Sequence, residues 1–143
     1  MDLRLEVVVI PVTDVDRAKT FYASALQCRE DADISTGDDF RVVQMTPPGS
    51  SCSIIFGTGL TSAAPGSVEG NIFVVDDVVA ARAELVERGV DIGDVFHDAG
   101  GIFHHNGTTA RVPGPDPARS CRNMLRIQRS QSLPSSRSGA SAR

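Results

Sequence analysis

The sequence predicts an α+β fold in which one strand–helix–strand unit is used twice, the second copy being incomplete. Three observations carry this expectation. First, Val12-Thr-Asp14-Val15-Asp-Arg-Ala18-Lys19 recurs 63 residues later as Val75-Asp-Asp77-Val78-Val-Ala-Ala81-Arg82. A repeated signal at this period marks one supersecondary unit used twice, and two such units facing each other form a pocket between them. Second, each copy follows an apolar run and opens an amphipathic stretch. Third, a Gly-, Ser-, Thr- and Ala-rich segment with Pro65-Gly66 inside it separates the two copies.

Leu3 to Ile10 is a β-branched run of strand length. Asp14 is placed to cap a helix, because its carboxylate accepts hydrogen bonds from the free amides of the first turn. Val15, Ala18, Phe21, Tyr22 and Ala25 then share one face at helical spacing, with the end expected near Leu26. Residues 31–39 are polar and read as a turn. Phe40 to Met45 reads as a strand, broken by Pro47-Pro48-Gly49, where proline lacks an amide donor. Ser51 to Phe56 is the next strand. In the second copy, Asn71 to Val75 is a strand and Asp77 a second cap. Val78, Ala81, Leu85 and Val86 form the helix's apolar face, and Gly89 stands where a left-handed C-terminal cap belongs. Val90 to Phe96 is expected to be a strand. Residues 97–118 hold all three histidines and read as a long loop.

Composition narrows the function classes. Hydrophobic residues make up 41% and charged residues 22% of 143, as in an ordinary globular protein of one domain. No apolar run reaches the ~20 residues of a membrane helix, and Met1-Asp2-Leu3 lacks the basic start of a signal peptide, so a cytoplasmic protein without membrane partners is expected. Cys28, Cys52 and Cys121 are too few and too scattered for a disulfide framework or a zinc site. The net charge of -4 hides an asymmetry: residues 1–118 carry 8 basic and 18 acidic groups, or -10, and residues 119–143 carry six Arg, seven Ser and no acid. An acidic body is a poor binder of phosphate backbones, so no nucleic-acid partner is expected.

The doubled strand-Val-x-Asp-Val-x-x-Ala-helix signature, split by the linker, resembles the vicinal oxygen chelate superfamily over residues 3 to about 112. Glyoxalase I, bleomycin-resistance proteins and extradiol dioxygenases belong to it. The resemblance implies paired βαβββ modules, glyoxalase-like, whose sheets curl into a cup around a small-molecule ligand, in a chain that commonly forms a homodimer. Here module one is expected at 1–57, the linker at 58–69, and an incomplete module two at 70–118. In metal-dependent members a ligand lies seven residues before each capping Asp. Those places hold Val7 and Gly70, and the last-strand position of module one falls near Ile54 or Ile55. Such side chains offer no nitrogen or oxygen donor, so no metal and no cofactor are expected. The family's closing Asp-Pro-Asp-Gly-Asn turn is also missing. Gly114-Pro-Asp116-Pro117 stands there, followed by the Arg/Ser-rich tail, 119–143, which reads as disordered or as the product of a shifted frame. Asn123 to Gln128 is the one later strand candidate, with Arg126 or Gln128 near the ligand position.

The remaining chemistry is sparse. His97, His104 and His105 read either as loop residues without a ligand or, for His97 and His104, as catalytic general bases, since imidazole titrates near neutral pH. Phe40, Gln44, Phe56, Phe73 and Phe103 fit an apolar ligand pocket with one polar orienting group, or serve as core. Arg41 fits either an anionic ligand or an acidic partner at the surface. The leading expectation is binding of a small molecule in a metal-free cup. The alternatives are a glyoxalase- or dioxygenase-type enzyme using loop histidines, and a truncated chain without activity.

Overall fold

The computed structural model describes residues 1–68, 71–98, 111–114 and 123–125. The elements run β1 (Val7–Val9), α1 (Val15–Ser24), β2 (Arg29–Thr36), β3 (Phe40–Thr46), β4 (Ser53–Thr58), β5 (Phe73–Val75), α2 (Val78–Glu87), β6 (Phe96–Asp98), β7 (Arg111–Pro113) and β8 (Asn123–Leu125). The first five make a βαβββ unit whose sheet has the order β1-β4-β3-β2. β1 lies parallel to β4, and the other neighbours are antiparallel.

The two helix starts follow from the repeated aspartates. Asp14 accepts a hydrogen bond from the Arg17 amide at 2.9 Å. Asp77 accepts two, from Val79 and Ala80 at 2.8 and 3.0 Å. Each bond satisfies an amide that the helix itself cannot. Removing a capping carboxylate costs about 1 kcal/mol. Asp77→Ala is therefore expected to lower the unfolding free energy more than Asp14→Ala, as read from urea midpoints of the two variants. At the far end of α2, Gly89 takes φ +78°, with Gly89 N donating to Val86 O and Val90 N to Leu85 O, both at 2.9 Å. That is the Schellman closure, which glycine enters without a Cβ penalty.

The core follows the two-residue period of the strands. Val43 and Met45 of β3, with Ile54 and Phe56 of β4, turn toward α1 and pack with Ala18 and Cys28. Tyr22 stacks on Phe56 with ring centroids 5.4 Å apart. A second cluster, Ala25, Val78, Leu85 and Val90, joins the two helices, with Phe73 packed against both clusters. Arg88 donates from Nη1 to the Ala25 carbonyl at 3.2 Å and ties the end of α2 to the end of α1. Burial pushes the Cys28 thiol up to about 11, so it packs as an apolar group.

Four sequence expectations are corrected. The segment 31–39 is not a turn: Arg29–Thr36 forms an eight-residue edge strand. Its helix-side positions are polar, with Glu30 and Asp33 satisfied by ion pairs, so the usual alternation is hidden. Val90–Val95 is irregular, and the strand begins only at Phe96. Asp91, Gly93 and Asp94 disfavour a strand there, and Arg82 holds this stretch by bonds to Gly93 O and Asp94 at 2.8 and 2.9 Å. Residues 97–118 are not wholly loop, since β6 and β7 pair antiparallel. The strand expected over Leu3 to Ile10 shortens to Val7–Val9.

The second unit departs from the first: its described strands form two pairs, β5-β8 and β6-β7, where the first unit has one four-stranded sheet. β8 pairs with β5 antiparallel, joining Phe73 to Leu125, Val74 to Met124 and Val75 to Asn123, whereas β4 runs parallel to β1. Arg126, Gln128, Cys121 and the rest of the tail lie outside the described residues.

Candidate functional site

The sheet of the first unit has two faces of different character. The face toward α1 is closed by the core and, at its rim, by charge. Arg41 donates from Nε and Nη2 to Asp33 at 2.9 and 2.8 Å and from Nη1 to Asp16 of α1 at 2.8 Å. Lys19 of α1 reaches Asp33 at 2.7 Å and Glu30 at 2.9 Å. These bonds hold the Asp33 carboxyl well below the usual carboxylate range, Arg41 contributing most and Lys19 next. A carboxyl depressed in the folded state stabilises it above the unfolded pKa of roughly 3.9, and that contribution is lost as pH falls through the folded value. The stability difference between wild type and Asp33→Asn is expected to be present at pH 7 and to shrink below about pH 4, as read from denaturation midpoints across pH. The three acids of this network, Asp16, Glu30 and Asp33, lie at the protein surface, so added salt shrinks the difference as well.

The opposite face is open. By register it presents Val7 and Val9 from β1, Ser53, Ile55 and Gly57 from β4, and Phe40, Val42, Gln44 and Thr46 from β3. Val9, Ile34 and Phe40 keep 36%, 55% and 38% of their surface exposed. A polar strip crosses this apolar surface. Gln44 Nε2 donates to Ser53 Oγ at 3.2 Å, Ser53 and Thr46 share a hydrogen bond of 2.7 Å, and Thr46 donates to Asp31. Asp31 also accepts from Arg29 Nε at 2.7 Å. The Thr46 bond, then the Arg29 bond, hold its carboxyl below its ordinary value. Asp31 sits at a register shift between Glu30 and Ala32, and such a bulge re-aims a side chain. At the β1–β4 side of the sheet, a cleft of about 440 Å³ opens where the Pro47–Cys52 turn meets Leu5, Val8, Ile54 and the Asn71–Val74 stretch that enters β5.

The residues singled out from sequence fall into three groups. Phe40 and Gln44 lie on the open face. Phe73 lines the cleft and also packs against both core clusters. Phe56 and Arg41 lie on the other side. Phe56 is fully buried against Tyr22 and has no surface to offer a ligand. Arg41 is committed to Asp33 and Asp16, as the acidic-partner reading expects. His97 is in β6 opposite Val112. His104, His105, Phe103 and Gly70 lie outside the described residues. Sequence reasoning missed Asp31, Thr46 and Ser53, because a segment taken for a turn conceals which face Asp31 shares.

In the first module, the residues at the positions where metal-dependent relatives are expected to carry ligands offer no donor atom. Val7 faces the open side opposite Ser53, and Ile55 is beside it, opposite Val9. Neither can ligate a cation. Among the described residues no group of three His, Cys, Asp or Glu is placed to hold a metal ion. No helix among them is long and apolar enough to cross a membrane.

Residues 4–105 match the family model of the glyoxalase/bleomycin resistance protein/dioxygenase superfamily. The chain belongs to that superfamily, and its mixed helix and strand content is that of a glyoxalase-like fold. Among curated proteins none matches it. Among solved structures it is similar to TnmS3, an antibiotic binding protein from Streptomyces sp. CB03234, with 32% identity and a TM-score of 0.57 over 66% of this chain and 78% of that one. A glyoxalase/bleomycin resistance protein from the same Streptomyces is 32% identical, with a TM-score of 0.55 over 64% of this chain and 81% of its own. UcmS2 shares the fold at 20% identity and a TM-score of 0.58, covering 90% of this chain and 100% of its own.

Proposed function

We propose that this protein binds a small apolar molecule, of the kind antibiotic-binding relatives hold, on the open sheet face of its first module, and that it does so without a metal or other cofactor. The observation that carries this is an exposed apolar face crossed by one polar strip, the pattern of a small-molecule site. The 32% identity to TnmS3, described as an antibiotic binding protein, supports the ligand class. Apolar Val7 and Ile55 at the first module's metal-ligand positions support the absence of a cation. Sequestration needs only complementarity, so a site without a nucleophile or general base suffices.

The same reading includes a homodimer in the cytoplasm. Ile72 and Val74, 47% and 61% exposed at the cleft, are apolar surface that a second chain would cover.

The test is direct. Purified full-length protein is titrated with a panel of aromatic antibiotics by calorimetry, with and without EDTA, and its mass is measured by analytical ultracentrifugation. Binding that survives the chelator, by a dimer, is expected. A stoichiometric divalent metal in the purified protein, or turnover abolished by EDTA and by His97→Ala, overturns this reading in favour of an enzyme.

A further inference from the structure

We propose that Asp31, acting through the hydroxyls of Thr46 and Ser53, fixes the side-chain amide of Gln44 with its carbonyl oxygen presented to the open sheet face, so that the site selects apolar ligands carrying a hydroxyl or N–H donor. This deepens the binding role proposed above and rests on it.

The direction of the chain follows from proton counting. An ionised carboxylate only accepts, and a hydroxyl has one proton to give. Thr46 spends its proton on Asp31. The 2.7 Å contact between Thr46 and Ser53 then needs the Ser53 proton. Ser53 has none left for Gln44, so the 3.2 Å contact must run from Gln44 Nε2 to Ser53 Oγ. Flipping the amide would set two acceptors face to face at Ser53, which is only 5% exposed and has little water to turn to. Ionised Asp31 is what starts the sequence, with the Arg29 guanidinium as its charged neighbour.

The consequence falls on Gln44. Its nitrogen is turned to Ser53, and among the described residues its carbonyl oxygen accepts no hydrogen bond. Gln44 is opposite Ile55 on one side and Ala32 on the other, with Val42 two residues along the same face. A flat ring lying on Val42 and Ile55 thus meets one acceptor of fixed orientation. A ligand with a donor there gains a bond, and one with an ether oxygen meets repulsion. Asp31 and Thr46 are positioning residues in this arrangement, and Gln44 is the one that touches the ligand.

The experiment uses the full chain labelled with ¹⁵N and ¹³C. The Gln44 side-chain amide resonances are compared in wild type, Thr46→Val and Thr46→Ser, and each protein is titrated with 2-naphthol and with 2-methoxynaphthalene. Thr46→Val is isosteric and interrupts the relay, and Thr46→Ser restores the hydroxyl. The Gln44 amide is expected to move toward its solvated position in Thr46→Val and to return in Thr46→Ser. Wild type is expected to prefer naphthol by about fivefold, the worth of one ordinary hydrogen bond, with the preference lost in Thr46→Val and kept in Thr46→Ser. Gln44 resonances that ignore Thr46→Val overturn the relay. Equal binding of the two naphthalenes by wild type overturns the selection. Failure of both to bind while the relay signature holds overturns the ligand-binding role itself and the selection with it.

Discussion

Gly57→Ala is expected to be the most disruptive single-methyl change in the first module. A Cβ built on Gly57 would stand 1.8 Å from the Arg41 carbonyl oxygen and 3.1 Å from a Leu60 methyl. The first obstacle is backbone of the neighbouring strand, so no rotamer change relieves it. β3 and β4 must part at the Val42–Gly57 pair, which lies on the open face. Forced overpacking costs about 1–3 kcal/mol where side chains can shift, and a backbone obstacle puts this change at or above the top of that range. The measurement is the urea midpoint of the variant at an unchanged slope, which separates lost stability from a changed unfolded state. A midpoint within error of wild type would mean that the two strands do not approach this closely. Ligand binding should fall as well, because the same displacement tilts Val42 and Ile55.

Phe56→Ala is the second large effect and arises from the opposite cause, an empty space. The ring is fully buried, stacked on Tyr22, and among the largest side chains in the core. Loss of a buried phenylalanine costs about 3–5 kcal/mol, from lost transfer energy and the cavity left behind. Small domains have only about 5–15 kcal/mol in total, so the variant is expected to sit near its unfolding threshold at room temperature. Thermal unfolding followed by circular dichroism checks this. Phe56→Leu keeps much of the apolar volume and should lose clearly less. Had Phe56 lined the ligand site, Phe56→Ala would weaken binding with little change in stability. Its burial predicts the reverse order of effects.

The contrast between these residues shows what the chain discloses before folding. The repeat, both caps and the Gly89 closure are legible because each depends on residues within a few positions of one another. The apolar helix faces are legible for the same reason. β2 is not, because its charges are satisfied by Lys19 on α1 and Arg41 on β3, partners 14 and 8 residues away from Asp33. Their pairing exists only after the sheet forms. The candidate site was half legible. Phe40 and Gln44 are an even number of residues apart and share a face, while Arg41 falls on the other by the same parity. Phe56 cannot be assigned from its own strand, whose two sides are both largely apolar. Only its register opposite Val43 places it in the core. Asp31 required the bulge, which leaves no mark in composition.

The edge strand β2 has a colloidal consequence. An eight-residue strand at the border of a sheet offers unpaired backbone groups to any other chain, and proteins that leave such borders plain tend to polymerise. Here Arg29, Glu30, Asp31 and Asp33 stud the border with charge, and the register shift at Asp31 divides it into two short runs. A second copy approaching edge to edge must desolvate these charges first and then meets a broken ladder. Solubility during concentration and storage therefore depends on charge along this border, and the high-salt buffers that often favour crystal growth, which screen such charge, are the conditions under which this protein should begin to form fibres.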